Sequence, residues 1–81
     1  MLVKYQPAGE YPALAEIVNI HFCEKENGEK CMRFIPVSPA QEFVIENISH
    51  YVYSELLMQL FGEGKIDLTA FSSKTKLIKK K

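Results

Sequence analysis

The chain has 81 residues, 47% hydrophobic and 25% charged, with only four glycines and four prolines. That composition supplies one small core and excludes disorder, collagen-like repeats and low complexity. Formal net charge is zero, and no window approaches the ~18 apolar residues of a membrane helix.

The opening MLVKYQPAGE carries no apolar leader region, so no secretory signal is expected and the cytoplasm is the expected compartment. There thiols stay reduced, and Cys23 and Cys31 are expected to be free. Leu2 to Tyr5 is a candidate short strand, followed by a turn at Pro7-Ala8-Gly9.

The clearest local signal lies between Ile17 and Val37, where two apolar runs flank EKENGEK. This is a β-hairpin, extended back to about residue 14. A two-residue Asn27-Gly28 turn would set Glu26 against Glu29 and Lys25 against Lys30, two unfavourable like-charge pairs. A three-residue loop, Glu26-Asn27-Gly28 with Gly28 left-handed, instead sets Lys25 against Glu29 and Glu24 against Lys30. It also places Cys23 opposite Cys31 and Phe22 opposite Met32. In that register Val18, Ile20 and Phe22 share an apolar face with Met32, Phe34 and Pro36.

Ser38-Pro39-Ala40-Gln41 then has the pattern of a helix start, and Gly62 that of a helix stop. One long helix is predicted over about 39–61. Ile45, Ile48, Val52, Leu56 and Leu60 form its core-facing stripe. A second sector, Val44, Tyr51, Met58 and Phe61, is apolar beyond what one packing face needs. After Gly64, Lys65 to about residue 71 begins with the alternation of a further edge strand. The fold class is therefore α+β: a small antiparallel sheet on a central hairpin (about 14–37), one long helix on one face, and an edge strand (about 65–71). Residues 1–73 form the single domain, and 74–81 a basic tail.

The charges are segregated. Through Glu63, four basic residues stand against nine glutamates; beyond it, six lysines stand against Asp67 alone. The tail lysines Lys74, Lys76, Lys79, Lys80 and Lys81 are candidates for phosphate contact. However, the acidic body opposes such contact, and no aromatics are interleaved with the lysines as a stacking platform requires. The glutamates themselves read as solvated exterior more readily than as a mimic of phosphate.

Catalytic and metal chemistry are poorly supplied. His21, Cys23 and Cys31 share a strand face, but His50 falls on an element packing against the other face, and the paired short Cys spacings of a zinc site are missing. A cross-strand disulfide is the other alternative to free thiols at Cys23 and Cys31. Cys23 and His21, two apart on a strand, sit about 6–7 Å from each other, with no orienting carboxylate nearby in sequence. No metal, cofactor or enzymatic activity is expected.

The expected function is a non-enzymatic protein-binding module, a stoichiometric regulator, adaptor or inhibitor. It would meet its partner through Tyr51, Met58, Phe61 and Val44. A second copy of the chain, giving a homodimer, is one such partner. The alternative is a nucleic-acid-binding accessory protein that uses the lysine tail.

Overall fold

The structure, a computed structural model, describes residues 1–78. Its strands are β1 (Leu2–Tyr5), β2 (Ala13–Glu24), β3 (Lys30–Pro36), β4 (Phe43–Ile48), β5 (Lys65–Asp67) and β6 (Thr75–Leu77). Helix α1 (His50–Glu63) separates β4 from β5, and a 3-10 helix (Thr69–Lys74) leads into β6. The sheet order is β5-β1-β2-β3-β4-β6, and every pairing is antiparallel except β1 with β5. The fold is α+β, a mixed sheet with α1 packed against it.

Rolling of the sheet is recorded by its aromatic side chains. Tyr5 on β1 and Phe43 on β4 are three strands apart in the sheet order, yet their rings stack with centroids 3.9 Å apart. Phe34 on β3 stacks on the other side of Phe43 at 4.9 Å. The loop after β1 also reaches β6, where Ala8 N–H donates to the Thr75 carbonyl at 3.4 Å. Inside the curl lie Val3, Ile17, Met32, Phe34, Phe43 and Ile45, all nearly or fully buried. Burial and the nearby Glu10 charge both push the Tyr5 hydroxyl pKa upward.

The hairpin has the three-residue loop. Glu24 pairs with Lys30, Cys23 with Cys31 and Phe22 with Met32. Gly28 sits at φ 85°, and Lys25 N–H donates to the Glu29 carbonyl at 2.8 Å. Asn27 Oδ1 accepts from the Glu29 N–H at 3.0 Å, which fixes the turn locally. Further down the strand, a bulge changes the expected faces. Ile17 pairs with Pro36 and Asn19 with Ile35, which leaves Val18 as the extra residue. Val18 is therefore exposed, and Ile17 and Ala15 take the inward positions.

The predicted helix over 39–61 begins too early. Residues 43–48 are β4, and α1 starts after Ser49, whose Oγ accepts from the Val52 N–H at 3.2 Å. The misreading has a specific cause. Between β3 and β4 the register advances from Ile45 to Ile48 while the partner strand moves only from Met32 to Lys30. This is a bulge, and Asn47 within it adopts φ 58°. The extra residue points both Ile45 and Ile48 into the core, so a spacing of three that resembles a helical stripe arises on a strand. At its other end α1 stops at Gly64 (φ 71°), whose N–H bonds the Leu60 carbonyl, and Gly62 lies within the helix.

The edge strand predicted over 65–71 is shorter, because residues from Thr69 onward turn into the 3-10 helix. Asp67 begins that turn by accepting from both the N–H and the hydroxyl of Thr69, at 2.9 and 2.7 Å. These two hydrogen bonds, with Lys4 adding to them, hold its carboxyl below the usual range. Lys74 to Leu77, expected within a basic tail, instead close the 3-10 helix and form β6. Thr75 is buried and pairs with Ile45, while Leu77 pairs with Phe43. Ile78 N–H donates to the Glu42 carbonyl, so the described chain is sheet edge to its end.

Candidate functional site: the outward face of the helix

A helix lying on a sheet buries one side and offers the other to its surroundings. In α1 the buried side is Leu56 and Leu60, flanked by the half-buried Val52, Tyr53 and Leu57. Opposite them stand Tyr51, Met58 and Phe61, which are 74%, 73% and 71% exposed. Isolated exposed apolar residues are common on any protein. Three large ones on a single helix face, with Ser54 and Glu55 between them, form a patch of the kind that marks an interaction surface.

Packing at the start of α1 fixes the orientation of this face. Phe22, on the hairpin arm, meets the Tyr53 ring edge-on at 5.6 Å, and Lys30 Nζ lies 5.8 Å from the same ring. The arm thus rests on the first turn of α1 and leaves the outward face clear. Val44, expected in the same sector, is not there. It is half-buried on β4 between Arg33 and Lys76, because its segment is strand and not helix.

The lysines expected to form a nucleic-acid arm are divided. Lys74 Nζ donates to the Asn47 carbonyl at 2.9 Å, and Lys76 Nζ lies 3.2 Å from Glu46. Lys79, Lys80 and Lys81 lie outside the described residues. Nor is the acidic surface continuous: Glu24 pairs with Lys30, and Glu42 takes two guanidinium hydrogen bonds from Arg33.

Cys23 and Cys31, expected as free thiols, are joined as a disulfide across the hairpin, with their Cα atoms 5.1 Å apart. Their position directly opposite each other, visible in the predicted register, satisfies the distance requirement. His21 sits 3.3 Å from the Asn19 amide, and no group of three or more potential ligands could hold a metal ion among the described residues. Likewise, no helix among them is long and apolar enough to cross a membrane.

Sequence reasoning misses one surface feature, a groove of about 340 Å³ beside the C-terminal half of α1. Leu2, Leu14 and Ile66 supply its apolar lining, and Lys4 and Lys65 are balanced there by Glu63 and Asp67. Its residues come from β1, β2, α1 and β5, so only the strand order assembles it. No protein-family model, curated protein or solved structure matches the chain.

Proposed function

We propose that the protein is a non-enzymatic binding module that engages a partner protein through the outward face of α1, acting in stoichiometric complexes as a regulator, adaptor or inhibitor. The observation that carries this reading is the exposure of Tyr51, Met58 and Phe61 on a helix whose other face already completes the core. Aromatic and methionine side chains are enriched at interface centres, where they provide large contact area with few or adaptable torsions. The described lysines support the nucleic-acid alternative less, since Lys74 and Lys76 are engaged within the chain.

The test is capture from the native host with nuclease treatment. It compares the wild type, Tyr51→Ala, Met58→Ala and a chain ending at residue 78. One protein retained in stoichiometric amount by the wild type and the shortened chain, and lost by both helix variants, is the expected result. Capture that disappears with nuclease or with residues 79–81, and ignores the helix variants, refutes the reading. In parallel, binding of labelled duplex and single strands is expected to be weak at ~0.15 M salt.

A further inference from the structure

We infer that Asn27 is a modification site, converted to aspartate or isoaspartate through a succinimide, and that the Cys23–Cys31 disulfide gates the conversion. The inference stands on the hairpin tip alone and is independent of the helix face. The chain has three asparagines. Asn19 and Asn47 precede Ile20 and Ile48, whose branched side chains crowd any ring closing onto their backbone nitrogens. Only Asn27 precedes a glycine. Gly28 has no side chain to obstruct the closure, and open space surrounds the position where a Cβ would lie.

The step needs no redox partner, only water and hydroxide. Hydroxide takes the proton of the Gly28 amide, and the nitrogen attacks the side-chain carbonyl carbon of Asn27. The new N–C bond closes a five-membered ring, the bond to Nδ2 breaks, and ammonia leaves after taking a proton from water. Water then opens either carbonyl of the ring. One opening leaves aspartate; the other leaves isoaspartate, in which the backbone runs through the side chain and gains a carbon. Either product adds a carboxylate to a tip that already holds Glu24, Glu26 and Glu29. Isoaspartate also upsets the three-residue loop.

In the folded turn both reacting groups are held. Gly28 N–H donates to the Lys25 carbonyl at 2.9 Å, and Asn27 Oδ1 accepts from the Glu29 N–H at 3.0 Å. The nitrogen can lose its proton and turn on the side chain only when the tip opens. Residues 24–28 are exposed and add nothing to the core. The tip is tied by the Glu24–Lys30 ion pair at 3.1 Å and by Lys25 Nζ donating to Asn47 Oδ1 at 2.9 Å. Exposed ties of this kind contribute little. The disulfide, closing the loop directly below them, is the strongest constraint on the opening.

The gate opens from one side. Cys23 is exposed and Cys31 is buried, so the thiolate of a thiol or dithiol reductant attacks the Cys23 sulfur and Cys31 leaves as thiolate. A second thiolate of the reductant then displaces Cys23. The reductant ends as a disulfide, and the two cysteines keep the electrons and take up two protons. Reduction thus releases the tip, and the Asn27 conversion that follows is not undone when the disulfide forms again.

The experiment follows all three asparagines by peptide mass spectrometry in mildly alkaline buffer below the melting temperature. Three samples are compared: the oxidised full chain, the same chain with a phosphine reductant, and Cys23→Ser/Cys31→Ser without it. Conversion of Asn27 should be at least about fivefold faster in the second and third samples, with Asn19 and Asn47 unchanged in all. Hydrogen exchange should show the Gly28 and Glu29 amides losing protection on reduction while those of Met32 and Phe34 keep theirs. Equal rates with and without the disulfide overturn the gate. Protection lost at Met32 and Phe34 as well makes the opening global and overturns it too. No conversion of Asn27 in any sample overturns the site.

Discussion

The two sides of α1 are both apolar, yet they have different tasks. Leu56 and Leu60 face the sheet and are nearly fully buried, whereas Tyr51, Met58 and Phe61 face away with most of their surface in solvent. On the inner side an apolar side chain stabilises the fold, because its removal leaves a cavity among close-packed neighbours. On the outer side it contributes little to the fold of a single copy, which leaves it for the partner contact proposed above. The same residue types therefore predict opposite responses to mutation.

The largest effect is expected on the inner side. Leu60→Ala should cost about 3 kcal/mol in urea denaturation, a large share of the stability of so small a domain. Met58→Ala, two residues earlier, should cost less than about 0.5 kcal/mol. Similar losses for the two variants would erase the distinction between the faces.

The hairpin arm sharpens the contrast, because it stabilises the fold while touching only the first turn of α1 through Phe22 and Tyr53. Reducing the Cys23–Cys31 disulfide, which closes a short loop (sequence separation 8), should lower stability by about 2–3 kcal/mol. The fall should appear in calorimetry with and without a phosphine reductant. Capture of the partner proposed for the helix face should not change; a large change would make the arm part of the interface. Gly28→Ala should act in the same sense but more weakly, by about 1 kcal/mol, since φ of 85° penalises a Cβ although no atom lies near it.

How far these features are legible in the sequence differs by element. The hairpin register follows from charge pairing at Lys25, Glu29, Glu24 and Lys30 together with one left-handed glycine. All of these are local, and local chemistry decides a tight turn. The outward face of α1 is equally legible for Tyr51, Met58 and Phe61, because their spacing reflects a real helix. Val44 is assigned to that face only by extending the helical period through residues 43–48. There the bulge at Asn47 imitates a helical spacing, and nothing short of the β3–β4 pairing reveals it. The bulge at Val18 inverts the lower half of β2 for the same reason. β6 escapes notice because Thr75, Lys76 and Leu77 are too short an alternation to stand out from a lysine-rich run. Its place is set by Phe43 and Ile45 on a strand about 30 residues away in sequence. The disulfide is legible as a geometry and not as a redox state.

The central claim is that the outward face of α1 serves association and not the fold of one copy. Its most direct test for the fold is the melting temperature of the wild type and of the triple variant Tyr51→Ala/Met58→Ala/Phe61→Ala, each measured at about 1 µM. The two should melt within a few degrees of each other, because the three side chains contribute little to the fold of one copy. A triple variant that melts far below the wild type even at about 1 µM would place these side chains in the fold.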